Sequence, residues 1–116
     1  MIHCKRVYEA PEHGDGYRVL VDRLWPRGLT HEKAALDEWL KDVAPSNDLR
    51  HWFGHEPTKW AEFERRYHEE LSSPDVQEQL SHLRKIAKSK TLTLLYAARD
   101  EEHNNALVLK EVLEKR

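Results

Sequence analysis

The chain is poor in the features that usually announce a function. One cysteine in 116 residues excludes an intrachain disulfide, which points to a reducing compartment. The four glycines form no G-x-S-x-G, P-loop or G-x-G-x-x-G, so the usual hydrolase, NTPase and dinucleotide signatures are absent. No apolar run reaches membrane-spanning length. The start "MIHCKRVYEA" lacks the apolar core of a signal peptide, and the expectation is a cytoplasmic protein. Neither sign of charge dominates: 19 basic and 21 acidic residues, thoroughly mixed, leave a formal charge of −2. That balance argues against extended nucleic-acid binding and against an anionic membrane surface, while leaving room for a local basic pocket.

What is present is aromatic mass. Four Trp, four Tyr and two Phe offset a hydrophobic fraction of only 39%, and such large apolar surfaces separate a folded chain from a disordered one. The length fits one domain, residues 1–116, able to bury roughly two-thirds of its unfolded surface.

Local patterns give an order of elements. "IHCKRVY" (2–8) reads as a strand with one buried face, and "EAPEHGDG" (9–16) as a loop. "YRVLVDRLW" (17–25) is apolar on both alternating faces, as a doubly covered strand should be. Thr30 caps a helix carrying Leu36, Trp39, Leu40 and Val43 inward, and Ser46 caps a short one over "NDLRHWF". Pro57 opens a helix with a stripe of Trp60, Phe63, Tyr67 and Leu71, and Pro74 another with Val76, Leu80, Leu83 and Ala87. "TLTLLYAA" (91–98) is a second doubly buried strand, and Asn104 or a neighbour caps the last helix. One long crossover between two buried strands predicts an α/β fold with a short, largely parallel sheet flanked by helices. The gap after the first strand is too short for an ordinary parallel crossover, so that strand's direction stays open.

In such sheets, ligands gather beyond the carboxyl ends of parallel strands. One end delivers "DRLWPRG" (22–28), the other Tyr96, Arg99 and Asp100 ahead of "HNNA". Asp22 is the candidate catalytic carboxylate, able to accept a proton or orient a hydroxyl, while Arg23 and Arg27 suit phosphate or carboxylate. As neighbours on the strand, Asp22 and Arg23 point to opposite faces, and Asp22 shares its face with Arg18. The structural alternative is that these charges lock helices onto the sheet. Trp25 either stacks on a ligand or caps the core, and Tyr96 either donates to a ligand or walls the core. One of Asn104 and Asn105 suffices as a cap, which leaves Asn105 free for the pocket. His51 and His55 have i, i+4 spacing, but Gly54 and Pro57 end that helix, so no metal site is expected. Cys4 lies mid-strand and reads as packing. The charged side of "KWAEFERRYHEEL" reads as a solvated face.

The stretches "CKRVY", "DGYRVLVDRLWPRG", "LDEWLKDVAPSNDLRHWF", "FERRYHEEL", "LTLLYAARD" and "NNALVL" span nearly the whole chain, and together they resemble the bacterial domain-of-unknown-function 488 (DUF488) family, in its YeaO-like branch. The resemblance implies an α/β fold whose Asp-Arg strand end faces a polar cleft. It implies no reaction and no cofactor. The positions that match its pattern are Lys5, Arg6, Tyr8, Arg18, Asp22, Arg23, Trp25, Arg27, Ser46, Arg50, Tyr96 and Asn105.

The leading expectation is a cleft for an anionic small molecule, a nucleotide or another phosphorylated or carboxylated metabolite, with Asp22 as candidate catalytic group and Arg18, Arg23, Trp25, Arg27, Tyr96 and Asn105 as ligand contacts. Whether turnover follows is left open, as are cofactor and oligomeric state. The rival is a regulatory module that meets a protein partner through Trp25, Trp52 and Arg27. A weaker third reading is a binder of nucleic-acid ends or single strands.

Overall fold

A computed structural model describes residues 1–115. Its strands are β1 (Ile2–Arg6), β2 (Tyr17–Leu20), β3 (Glu38–Trp39) and β4 (Leu92–Tyr96), and its helices α1 (His31–Ala34), α2 (Asn47–Phe53), α3 (Trp60–Leu71), α4 (Pro74–Ser89) and α5 (Asn105–Glu114). The sheet order is β1-β4-β2-β3, and every pairing is parallel. All five residues of β4 are buried, as the two apolar faces of "TLTLLYAA" require of a central strand. The result is one α/β domain with a short parallel sheet flanked by helices.

The two faces of the sheet are covered differently. Ile2, Val19, Leu92, Leu94 and Tyr96 pack with the inner residues of α2 to α5, including Phe53, Phe63, Tyr67, Leu80, Leu83 and Leu109. On the reverse, a smaller cluster joins Val7, Leu20, Ala34 and Leu95, with Trp25, Leu29, Leu36 and Trp39 against it. The stripe on α3 faces the main core as its spacing predicts, while Glu62, Arg65, Arg66 and Glu69 pair outside it. Thr30, Ser46 and Asn104 each cap a helix by accepting a backbone N–H three residues on, at 3.1 Å in all three.

Two expectations need revision, and one question left open is answered. The helix foreseen from Thr30 to Val43 stops at Ala35, which adopts a left-handed φ of 49°. The chain then turns extended and adds β3 to the sheet edge. Asp37 and Arg18 exchange bonds, Asp37 N to Arg18 O and Arg18 N to the Asp37 carboxylate, both at 2.8 Å. The helical spacing misled because its apolar residues serve two cores: Leu36 and Trp39 pack beneath the sheet and Val43 above it. Tertiary pairing outweighed local pattern. The strand expected over 17–25 also ends early, at Leu20, for a reason that belongs to the site.

The open question concerns the first strand, which runs parallel to β4 although its link to β2, residues 7–16, holds no α-helix. This link is held by charge instead. Asp15 and Arg18 are among the few buried polar residues. Asp15 accepts from Lys5 Nζ at 3.1 Å, from Arg18 Nη1, and from the Glu12 N–H at 3.0 Å. Its backbone carbonyl takes the Thr93 hydroxyl at 2.6 Å, and Arg18 continues to the carbonyls of Ala34 and Ala35. Lys5, Thr93 and Arg18 come from three adjacent strands and share the face that lacks long helices. Buried charge is tolerated when paired and hydrogen-bonded throughout, and here it replaces the apolar staple that a crossover helix supplies.

Candidate functional site

β2 and β4 run the same way, so their carboxyl ends open into one hollow, with a cavity of about 610 Å³. The way β2 ends creates its floor. Val21 N still donates to Leu95 O at 3.0 Å, and the next rung of a parallel ladder would join Ala97 N to Val21 O. Side chains complete that rung instead. Asp22 Oδ2 accepts the Ala97 N–H at 2.8 Å, and Asn105 Nδ2 donates to Val21 O at 2.8 Å. The backbone then swings away through Trp25-Pro26 to Gly28, whose φ is 78°, a left-handed turn that suits glycine.

Because the strand has ended, its alternation ends with it. Asp22 and Arg23 therefore line the same cavity rather than opposite faces, together with Trp25, Arg27 and Asn105. Arg18 does not join them, being held in the ion network beneath the sheet. Tyr96 is buried on the helix-covered face and is not among the lining residues. Arg50, His55 and His103 do line it; site reasoning from the sequence weighed His55 only as a metal ligand and named neither Arg50 nor His103 as a contact. Arg50 matched the family pattern, but only the seating of α2 beside the strand ends brings it to the cavity.

The electrostatics are unusual. Arg23, Arg27, Arg50 and Arg99 all border the hollow, and none forms an ion pair among the described residues. Among the described residues Arg23 donates only to the carbonyls of Ala44 and Pro45, both at 3.1 Å. Arg50 gives one N–H to Asn47, and its Nε is buried with no partner. Against these stand two lining carboxylates, Asp22 and Asp100. The N–H of Glu102 and the His103 ring hold Asp100 below the ordinary carboxylate range. Burial pushes Asp22 above that range, with the Ala97 N–H, the Asn105 amide and the charges of Arg50 and His55 pulling against it.

This asymmetry gives a prediction for stability. With its folded value raised, Asp22 penalises folding once pH exceeds that value, and the penalty disappears as pH falls to the unfolded value of about 3.9. Asp22→Asn keeps an acceptor for Ala97 and removes the desolvated charge. The variant should unfold at or above the parent's midpoint at pH 7, by on the order of 1 kcal/mol, with the gap closing toward pH 3. A clear loss of stability at pH 7 by urea titration would assign Asp22 a purely structural role.

Aromatic rings supply the apolar part of the wall. Trp25 donates its indole N–H to Leu29 O at 2.6 Å and stacks on His31 with ring centroids 4.0 Å apart, which fixes it at the junction of cavity and lower core. Phe53 and Phe63 also line it, their rings tilted by 33° with centroids 4.5 Å apart. A second hollow, of about 370 Å³ between α3 and α5, carries four glutamates and one lysine and repels anions.

Other candidates resolve into structure. Cys4 is partly buried, donates to Ala106 O at 3.3 Å, and has its thiol pushed up to about 11 by burial, so it packs and stays protonated. Gly54, with φ 53°, closes α2 between His51 and His55, and among the described residues no three His, Cys, Asp or Glu side chains gather to hold a metal. No helix among them is long and apolar enough to cross a membrane.

Comparison with known proteins agrees with the pattern of residues. The chain is 47% identical over 112 residues to the uncharacterized protein YeaO of Escherichia coli (strain K12), covering 97% of this chain and 96% of that one. It is 40% identical over 112 residues to the uncharacterized proteins Mb3100c of Mycobacterium bovis and Rv3073c of Mycobacterium tuberculosis, covering 97% of this chain and 92% of each. No solved structure matches the chain. A family model described as the inactive DUF488-N3 subclade matches residues 1–116. With that match over the whole chain and relatives at this level of identity, the protein belongs to the DUF488-N3 family, in its inactive subclade, alongside the YeaO-like bacterial proteins.

Proposed function

We propose that this protein binds an anionic small molecule, a nucleotide or phosphorylated metabolite, in the hollow at the carboxyl ends of β2 and β4, and holds it without turning it over. The observation that carries this reading is four guanidinium groups around one cavity with no carboxylate among the described residues paired to any of them. Unpaired arginines crowded together repel one another, and the arrangement is favourable once an anion joins them by charge-assisted hydrogen bonds. The cavity of about 610 Å³ falls in the range typical of small-molecule sites, and its lining is richer in charged and amide side chains than most such sites, as a charged ligand requires. The description of the subclade as inactive favours retention over chemistry. Asp22 then orients the ligand as an acceptor rather than taking its proton.

The rival reading, a protein-docking surface, needs Trp25 and Trp52 on one patch. They belong to different clusters: Trp25 packs beneath the sheet, whereas Trp52 packs on the helical side under Arg66 and Lys59. The cleft is the better supported of the two.

Thermal-shift screening with inorganic phosphate, pyrophosphate, nucleotides and sugar phosphates tests the proposal. A ligand at a hundred times its Kd should add about 2.7 kcal/mol of stability. Arg23→Ala and Arg50→Ala should each weaken binding at least about tenfold, the loss of one charge-assisted hydrogen bond of about 1.5–3 kcal/mol. Equal responses from parent and variants would place the ligand elsewhere.

A further inference from the structure

We propose that His103 accepts a phosphoryl group: with Nδ1 held by Asp100, its Nε2 attacks the phosphorus of an acyl phosphate bound in the arginine-lined cleft. The inference rests on the anion-binding reading and adds a covalent step, after which the phosphoryl group stays on the protein. Asp100 and His103 both line the cavity, and Asp100 Oδ2 stands 2.9 Å from His103 Nδ1, with both side chains part-exposed, at 37% and 30%. The pair is held on several sides. Asp100 Oδ1 takes the N–H groups of Glu102 and His103 at 2.9 and 3.0 Å, and the Asn104 amide donates to Asp100 O at 3.0 Å while its oxygen caps α5. From α3, Trp60 meets the imidazole edge to face, with ring centroids 5.3 Å apart and planes at 79°.

This setting fixes the tautomer. Asp100 lies below the ordinary carboxylate range and acts as an acceptor only, so the shared proton belongs to Nδ1 and the lone pair of the neutral ring to Nε2. Nε2 has no partner among the described residues, and a histidine oriented through its other nitrogen is a competent nucleophile. As the N–P bond forms, the bond from phosphorus to the acyl oxygen breaks, the carboxylate leaves with the electron pair, and no proton moves. The ring, with hydrogen on Nδ1 and phosphoryl on Nε2, becomes cationic beside the Asp100 carboxylate. Arg23, Arg50 and Arg99 line the same cavity and offer guanidinium donors to the phosphoryl oxygens and the departing carboxylate. The leaving group selects the class. A phosphate ester expels an alkoxide that needs a proton, which guanidinium groups do not give up, whereas a carboxylate leaves without one.

The test treats the full chain with acetyl phosphate, locates the label by intact mass and peptide mapping, and identifies a phosphorus–nitrogen bond by its stability in alkali and loss in acid. His103 should label at least about tenfold faster than His13 and His68, which are exposed and serve as internal references. Glucose 6-phosphate, an ester, should not label it, and His103→Gln should remove the fast label. Asp100→Asn is the sharper variant. Its oxygen can keep the Glu102 and His103 N–H groups, but its NH2 then faces Nδ1, so the ring proton moves to Nε2 and blocks the nucleophile. Labelling should fall at least about a hundredfold, and nitrogen NMR of the imidazole should show the proton on Nδ1 in the parent and on Nε2 in the variant. Arg50→Ala should slow labelling about tenfold or more. A parent proton on Nε2, labelling of His103 no faster than the references, an ester that labels as readily, or rates that Asp100→Asn and Arg50→Ala leave unchanged overturns the inference. The anion site still stands if inorganic phosphate or pyrophosphate raises the melting temperature. If no anion does so and His103 stays unlabelled, both readings fall.

Discussion

Asp15→Asn should cost about 3–5 kcal/mol at neutral pH, the range for removing one partner from a buried ion pair, and on a chain of this size it should lower the melting temperature by more than 10 °C. The reason is that Asp15 answers two cations at once. Lys5 and Arg18 both point at it from the less covered face of the sheet, with side chains only 12% and 6% exposed. An amide of the same shape leaves Arg18 buried with no carboxylate partner and Lys5 with Glu12 alone. It also donates where only acceptors are useful.

The same residue should govern acid unfolding. Burial works to raise the Asp15 carboxyl, but the Glu12 N–H, Lys5 and Arg18 outweigh it and hold it below the ordinary carboxylate range. A depressed folded value means that this contribution is present above the unfolded value of about 3.9 and is lost as pH falls through the folded one. Lys5 mirrors it. Desolvation works to lower the ammonium, and Glu12 and Asp15 overcome this and raise it. Its share is full below an unfolded value of about 10.4 and is lost as pH rises through the folded one. Urea midpoints measured from pH 2 to 11 should show a plateau with two shoulders in the parent. In Asp15→Asn both should shrink. A variant within 1 kcal/mol of the parent at pH 7 would show that the network contributes little.

Gly16→Ala should be as damaging, through geometry rather than charge. Gly16 has φ 64° and ψ −128°, a region closed to residues with a side chain. A Cβ there would stand 2.3 Å from the Thr91 carbonyl oxygen and 2.9 Å from its carbon. That oxygen accepts the Tyr17 N–H at 2.9 Å, the first rung between β4 and β2. The methyl therefore cannot be accommodated without breaking the pairing that starts β2. Strain alone costs about 1–3 kcal/mol, and with the lost rung the total should exceed about 3 kcal/mol. Gly28→Ala is the control: its φ of 78° is also positive, but a Cβ there meets nothing within 4 Å, so only the left-handed strain of about 1–2 kcal/mol remains. Equal destabilisation of the two variants would mean that contact with Thr91 is unimportant.

Both predictions concern residues 7–16, the segment that sequence reasoning labelled a loop. Its composition of Pro, Gly and Asp describes turning and nothing more. Its work, carrying the chain from β1 across β4 to β2, becomes visible only once Lys5, Thr93 and Arg18 are side by side. Arg18 shows the consequence for site prediction. On one strand it is a charged residue four positions before Asp22 and a reasonable ligand contact. In the fold it faces Asp15.

The chain's local chemistry alone determined a good deal: both buried strands, the caps at Thr30, Ser46 and Asn104, the inner stripe of α3, and a polar cluster where "DRLWPRG" meets "AARD". These depend on side-chain periodicity and on bonds reaching three or four residues, which a linear reading can follow. The tertiary structure alone decided the extended path of 35–40, the parallel direction of β1, and which arginines share a cavity. Each of those depends on contacts between distant segments. Arg50 approaches Asp22 only because α2 sits beside the strand ends, and Arg23 joins the same hollow only because a carboxylate, rather than a carbonyl, closes the last rung of β2.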